Sequence, residues 1–155
     1  MWPHVTEPEP QRRPPAALTS GRKPRVLLAE DDPDMRRLVG WVLRRDGYEV
    51  AQVPNGMGLL SRVASANSSA RDVPFDVILA DVIMPDLTAF DVLEALRCRD
   101  IATPIVLMTA YGAARARVDA AALGAHDVLD KPLDWDRLRA AVREAVSLAS
   151  RASCA

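Results

Sequence analysis

From Arg25 onward, short apolar segments alternate with amphipathic segments along the chain. The apolar segments have the length and composition of strands, and they cover residues 26–29, 48–53, 75–80, 104–108 and 125–129. The third and fourth are apolar almost without interruption, which is typical of strands that are covered on both faces. The pattern therefore predicts five strands, of which the third and fourth are covered on both faces.

The amphipathic segments between the strands have the period of helices. In the first, apolar residues recur at i, i+3, i+4, i+7 and i+8, and the last repeats this spacing. The first set is Met35, Leu38, Val39, Val42 and Leu43, and the last is Leu138, Ala141, Val142, Ala145 and Leu148. Weaker patterns predict three more helices at 56–66, 88–98 and 112–122, the third being alanine-rich and ending at Gly124.

Strict alternation of strands and helices requires crossover connections, and hence a parallel sheet with helices on both faces. The predicted fold is a five-unit, doubly wound α/β domain over residues 25–149. Residues 1–24 hold six of the twelve prolines and little apolar material, so we expect a disordered tail there. Residues 150–155 are expected to form a short C-terminal tail.

Composition narrows the functional classes. No apolar stretch approaches the roughly 20 residues that span a bilayer, and the proline-containing N-terminus does not resemble a signal peptide. The two cysteines, Cys98 and Cys154, are expected to be unpaired thiols, as in the cytoplasm. Twenty basic and 21 acidic side chains give a net charge of −1, which does not indicate nucleic-acid binding.

Polar side chains follow four of the predicted strands. In open parallel sheets, ligands bind beyond the carboxyl ends of the strands, so these side chains are expected to converge. They are Glu30, Asp31 and Asp32 after the first strand, Asp81 after the third, Thr109 after the fourth, and Asp130 and Lys131 after the fifth.

Clustered acids repel one another and raise their own pKa values unless a cation offsets their charge. Hard carboxylate oxygens of this kind suit Mg²⁺. Once the charge is neutralised, one carboxylate can attack a phosphorus centre while the metal and a lysine stabilise the transferring oxygens. The residues therefore predict acyl-phosphate chemistry with magnesium as the cofactor.

Four short motifs carry a resemblance to a known family. They are VLLAEDD at 26–32, DVIMPD at 81–86, MTA at 108–110 and KP at 131–132. In this order and at these separations they resemble the receiver domains of bacterial response regulators, over about residues 24–149. The resemblance implies a flavodoxin-like (βα)5 fold with strand order 2-1-3-4-5, and a signalling domain rather than an enzyme.

Position by position, the resemblance implies that Asp81 is the phosphoacceptor. Glu30 and Asp31 correspond to the acidic pair that holds magnesium, with Asp31 the direct ligand, and Ile83 corresponds to the residue that offers its backbone carbonyl to the metal. Asp32 precedes Pro33, the arrangement of a helix N-cap, and is left out of the site.

The remaining motifs imply the other side of the site. Thr109 resembles the hydroxyl residue that bonds the phosphoryl group, and Lys131 resembles the lysine that pairs with it. The Lys131–Pro132 bond is expected to be cis.

Two positions depart from the family pattern. Thr88-Ala89 stand where receivers usually have Asp-Gly, although Thr88 and Asp91 have the spacing of a capping box. Val128 occupies the position of an aromatic residue that usually turns inward on activation, so that switch cannot operate here in its usual form. Tyr111, close to Thr109, is a candidate for signalling by proximity alone.

The resemblance implies a sensor histidine kinase or a histidine phosphotransfer protein as the phosphoryl donor. No DNA-binding unit is expected after the last helix, so output would come through contact with an unidentified downstream protein. Two alternatives remain open. The first is a receiver fold that acts only as a scaffold. The second is a phosphatase of the haloacid dehalogenase type, for which Asp32-Pro33-Asp34 supplies a D-x-D pattern.

A flavodoxin-like flavin-binding module would share the fold. It needs hydroxyl and amide donors after the first strand to bind a phosphate. Glu30 and Asp31 stand there instead and would repel that anion, which disfavours this alternative.

Overall fold

The computed structural model describes residues 21–68, 73–110 and 113–153. The first 20 residues of the predicted tail, Tyr111 and Cys154 lie outside this part of the chain. All five predicted strands are present and parallel, in the order β2-β1-β3-β4-β5. They are β1 Arg25–Ala29, β2 Glu49–Val53, β3 Val77–Asp81, β4 Ile105–Thr109 and β5 Asp127–Asp130. The predicted doubly wound architecture and strand order are confirmed.

Five helices connect and follow the strands, at the positions predicted from the apolar pattern. They are α1 Pro33–Arg45, α2 Gly56–Ser68, α3 Ala89–Arg97, α4 Ala113–Ala122 and α5 Trp135–Ser153. Helix α5 continues to Ser153, so residues 150–153, expected as a tail, extend the last helix instead. None of the helices in the described ranges is long and apolar enough to cross a membrane.

The sheet separates two apolar clusters, because successive residues of a strand point to opposite faces. Leu27, Ile78 and Leu107 lie in the cluster formed with α2, α3 and α4. Leu28, Leu79 and Met108 lie in the cluster formed with α1 and α5. All six of these leucine, isoleucine and methionine side chains are fully buried, as the uninterrupted apolar strands predicted.

The apolar stripes of α1 and α5 are narrower than the sequence spacing predicted. Leu38 is 44% exposed and Leu148 is 46% exposed, although both occupy helical positions of the predicted core faces. Trp41, also on α1, is 54% exposed, and the centre of its ring lies 4.8 Å from the guanidinium carbon of Arg45. The buried residues that these helices contribute to the apolar cluster are Val39 and Leu43 of α1 and Leu138, Ala141, Val142, Ala145 and Val146 of α5.

Local capping fixes where the helices near the site begin. The Asp32 carboxylate accepts from the backbone N–H of Asp34 at 2.9 Å, with Pro33 as the first helical residue, so its predicted N-cap role is confirmed. Thr88 and Asp91 form the predicted capping box at the start of α3. Such caps satisfy the backbone donors of a first helical turn that have no partner within the helix.

The amino ends of the strands form the edge of the sheet opposite the predicted site. Here the largely buried Asp76 accepts two hydrogen bonds from the Arg22 guanidinium, at 3.0 and 3.1 Å, and one from the backbone N–H of Arg25 at 2.7 Å. Nearby, Arg97 donates to the carbonyls of Ile101, Thr103 and Gly124. Asp76 and Arg97 therefore have partners supplied by the chain itself.

Candidate functional site

The carboxyl ends of the strands bring the predicted side chains to one edge of the sheet. Asp81 is the last residue of β3 and Thr109 the last of β4, while Glu30 and Lys131 directly follow β1 and β5. The parallel register pairs Asp81 with Met108 and Thr109 with Asp130. The strand ends are therefore level, and side chains up to 101 residues apart in sequence meet.

Lys131 joins two of the acids. Its Nζ lies 2.7 Å from Oδ2 of Asp81 and 2.8 Å from Oε2 of Glu30. The Glu30 side chain is almost fully buried, and those of Asp81 and Lys131 are 11% and 18% exposed. The bond from Lys131 to Pro132 is cis, as predicted. The lysine predicted from its position after the last strand thus contacts the predicted phosphoacceptor directly.

Burial and charge determine the electrostatics of Glu30. Desolvation raises the pKa of this carboxyl to about 7; the hydrogen bond from Lys131 opposes the shift, and the charge of Asp81 adds to it. Burial alone would lower the pKa of Lys131, but its hydrogen bonds to Asp81 and Glu30 raise it. Without a further cation, Glu30 therefore binds a proton at neutral pH much more readily than an ordinary glutamate.

Three carboxylates form a group that could hold a metal ion. Glu30, Asp31 and Asp81 each offer an oxygen, and these three oxygens lie within 4.8 Å of one another. When all three are ionised, Lys131 neutralises only one of their negative charges. Asp31 is exposed, which leaves one side of the group open to water. Hard oxygen donors with an open, hydrated side fit Mg²⁺, which keeps several waters in most protein sites.

Ile83 lies in the loop beside this group. Its backbone N–H donates to Oδ1 of Asp81 at 3.2 Å, so the loop touches the acceptor carboxylate on the side away from Lys131. The Ile83 side chain is 63% exposed, which suits a residue whose contribution comes from its backbone. The assignment of its carbonyl to the metal stays a prediction.

Two contacts near the site were missed by sequence reasoning. The Arg36 guanidinium, on α1, donates to the backbone carbonyl of Glu30 at 2.7 Å. Asp86, in the loop after β3, accepts from the backbone N–H groups of Gly56 and Met57, both at 2.9 Å. In the sequence, Asp86 is recognisable only as an acid directly after Pro85. That pattern does not predict a hydrogen bond to Gly56, which is 30 residues away.

The loop after β3 closes although it lacks the usual Asp-Gly. The backbone N–H of Ala89 donates to the carbonyl of Val82 at 2.9 Å, and Ala89 is buried.

Val128 is also buried, at 5% exposure, among residues of α3 and α4. The position that usually holds a mobile aromatic residue is therefore part of the apolar core.

The chain matches the family model described as the response regulator receiver domain over residues 26–143. It is 32% identical over 126 residues to the regulatory protein AtoC of Escherichia coli, and this match covers 81% of this chain and 26% of AtoC. It is 38% identical over 117 residues to the transcriptional activator protein PfeR of Pseudomonas aeruginosa, covering 76% of this chain and 36% of PfeR. The chain thus spans only about a quarter to a third of these regulators.

Solved structures of similar size have the same fold. The signal receiver domain of a putative Luxo repressor protein from Vibrio parahaemolyticus superimposes with a TM-score of 0.76 at 27% identity, covering 86% of this chain and 97% of that one. The chemotaxis protein CheY4 of Vibrio cholerae gives a TM-score of 0.70 at 29% identity, covering 80% and 99%. The family match, the strand order and the convergence of Glu30, Asp81 and Lys131 agree, and the chain belongs to the receiver domain family of two-component response regulators.

Proposed function

We propose that this domain accepts a phosphoryl group on Asp81 in a magnesium-dependent reaction. The observation that carries the proposal is the position of Asp81, whose Oδ2 lies 2.7 Å from the Lys131 ammonium while Glu30 and Asp31 present oxygens beside it. A carboxylate held against a cation within an acidic group combines a nucleophile with charge stabilisation. Glu30, Asp31, Asp81 and the Ile83 carbonyl would hold the metal.

In the proposed reaction, a carboxylate oxygen of Asp81 attacks the phosphorus of a phosphohistidine. A new O–P bond forms, the P–N bond breaks, and the histidine nitrogen leaves with the bonding electrons. Bound magnesium would offset the negative charge of the acids and of the incoming phosphoryl oxygens. The Lys131 ammonium pairs with a phosphoryl oxygen, and the Thr109 hydroxyl donates to another, so both residues respond to the modification.

The donor in this proposal is a sensor histidine kinase or a histidine phosphotransfer protein in the cytoplasm. Output would pass through contact with a downstream protein. We propose no direct DNA binding by residues 21–153; the chain spans only about a quarter to a third of the regulators AtoC and PfeR. The acyl phosphate would also be hydrolysed within the same site, which makes the domain a participant in its own dephosphorylation.

The test uses the full chain, Mg²⁺ and a small acyl-phosphate donor, with intact mass as the measurement. We expect a hydroxylamine-labile phosphoryl adduct on the wild type, and its loss in Asp81→Asn and in the presence of a chelator. Asp76→Asn is the matched control, because Asp76 is an equally buried aspartate at the opposite edge of the sheet. An adduct that persists in Asp81→Asn would contradict the assignment. Absence of both adduct and Mg²⁺ binding would favour the scaffold alternative.

The geometry disfavours the phosphatase alternative. The Asp32 carboxylate caps α1, and the Asp34 side chain is 85% exposed and paired with Arg37. Neither acid of the D-x-D pattern is among the three grouped carboxylates at the strand ends. The acid that Lys131 contacts besides Glu30 is Asp81.

A further inference from the structure

Asp86 connects the loop after β3 to the start of α2. Its Oδ1 accepts from the backbone N–H of Gly56 at 2.9 Å and from that of Leu87 at 2.8 Å, while Oδ2 accepts from that of Met57 at 2.9 Å. One oxygen therefore bonds both elements at once. These three donors hold the pKa of the Asp86 carboxyl below its usual value, so it is ionised at neutral pH.

The contact between the loop and α2 is close. A Cβ atom added to Gly56 would lie 2.7 Å from Cβ of Leu87, which is nearer than side-chain atoms approach. The loop and the first turn of α2 therefore meet at a position that only glycine leaves open. The Asp86 bonds and this close packing act at the same place.

The same loop borders the acidic group on its other side. It begins at Val82, whose N–H donates to the Met108 carbonyl at 2.8 Å, and continues through Ile83, whose N–H donates to Asp81. It ends at Ala89, bonded back to Val82. Its base is thus tied to the sheet, and its outer part is tied to α2 through Asp86.

We propose that Asp86 is a positioning residue for the metal site, fixing the loop so that the Ile83 backbone and the Asp81 carboxylate are held in place before the metal binds. This inference rests on the proposed function, because it concerns the same magnesium site. Asp86 contacts neither the metal nor the phosphoryl group in this arrangement. It acts through the loop, as outer contacts commonly orient the groups that bind a metal.

The chain supplies a matched control for helix capping. Asn55 Oδ1 accepts from the N–H of Gly58 at 2.8 Å, so it caps the same end of α2 without a hydrogen bond to the loop among the described contacts. Asn55→Ala and Asp86→Ala should both loosen the first turn of α2. A loosening of Ile83 and Leu87 is expected only from Asp86→Ala.

The experiment measures Mg²⁺ affinity by calorimetry in the wild type, Asp86→Ala, Asp86→Asn and Asn55→Ala. Amide hydrogen exchange of the metal-free proteins is followed in parallel. Asp86→Ala should weaken Mg²⁺ binding about tenfold, the lower range for loss of an outer contact at a metal site, and speed exchange at Ile83 and Leu87. Asp86→Asn, which retains one acceptor oxygen, should have a smaller effect, and Asn55→Ala should leave Mg²⁺ affinity within about twofold.

Two results overturn the inference while leaving the proposed function intact. One is a wild-type Mg²⁺ affinity in Asp86→Ala, and the other is an equal loss in Asn55→Ala, which would make the effect one of helix stability. A wild type that binds no Mg²⁺ would overturn the proposed function itself. The exchange data separate positioning from misfolding, because a misfolded variant loses protection throughout the sheet.

Discussion

The acids at the two edges of the sheet differ in how many positively charged partners the chain gives them. At the amino edge, Asp76 receives three hydrogen bonds, two of them from the Arg22 guanidinium, and one acid is matched by one cation. At the carboxyl edge, Glu30, Asp31 and Asp81 stand together, and Lys131 is the cation that contacts two of them. The charge of Asp76 is therefore neutralised within the chain, whereas the three acids at the carboxyl edge carry more negative charge than Lys131 neutralises.

The difference shows what distinguishes a structural carboxylate from a functional one. Burying a charge is unfavourable unless a partner offsets it, and Asp76 obtains its partners from the chain. Glu30 does not obtain enough, and its pKa rises to about 7 as a result. A group of acids with more negative charge than the chain neutralises is thus an arrangement that could bind a cation from solution.

The largest effect is expected from removing the ammonium of Lys131, which contacts Glu30 and Asp81. Lys131→Met should slow formation of the Asp81 adduct about 100-fold or more, the range for loss of one charge-stabilising group. Mg²⁺ affinity should stay the same or rise, because Nζ no longer occupies oxygens of Glu30 and Asp81. Rates and affinities come from mass spectrometry and calorimetry.

Arg22→Met provides the control for Lys131→Met, since it removes a cation of the opposite edge. It should leave both quantities unchanged. A large loss of Mg²⁺ affinity in Lys131→Met would show that the lysine organises the acids rather than competing for them.

The second test uses pH. The pKa of Glu30 in the folded, metal-free protein is about 7, above its ordinary value of 4.5. The folded protein binds this proton more tightly than the unfolded chain, and proton binding by Glu30 therefore stabilises the folded state. The contribution is complete below pH 4.5 and is lost as pH rises through about 7. Mg²⁺ competes with that proton, so its affinity should rise about tenfold between pH 6 and 8, since one proton is displaced.

Glu30→Gln is the variant that checks this pH dependence. It should abolish most of the rise in affinity and flatten the metal-free stability between pH 5 and 8, as measured by urea unfolding with a chelator present. An equal rise in Glu30→Gln would assign the proton to another group.

The site was largely predictable because parallel strands end at the same edge. Glu30, Asp81, Thr109 and Lys131 each lie at or directly after a strand that is apolar enough to recognise from sequence. Once the order of strands and helices was predicted, the contacts of Lys131 with Glu30 and Asp81 followed from topology. The cis bond before Pro132 followed from the family resemblance, since the local sequence alone does not determine it.

The supporting contacts were not predictable, because each joins segments whose distance apart depends on the packed fold. Asp86 and Gly56 are 30 residues apart, and Arg22 and Asp76 are 54 apart. The exposure of Leu38 and Leu148, which share the apolar faces of α1 and α5, was not predictable for a related reason. Helical spacing places a residue on a side of the helix, but the width of the buried stripe is set by the neighbouring elements.

The smallest expected effect lies at the amino edge. Arg22→Ala removes two of the three hydrogen bonds to Asp76 but leaves the N–H of Arg25 in place. Because Arg22 is itself 39% exposed, the loss of stability should be about 1 kcal/mol, measured by urea unfolding. Mg²⁺ affinity and adduct formation should not change, since the strands separate this pair from the site. A parallel fall in Mg²⁺ affinity would mean that the two edges are coupled through the sheet. The amino edge could then no longer be regarded as purely structural and separate from the site at the carboxyl edge.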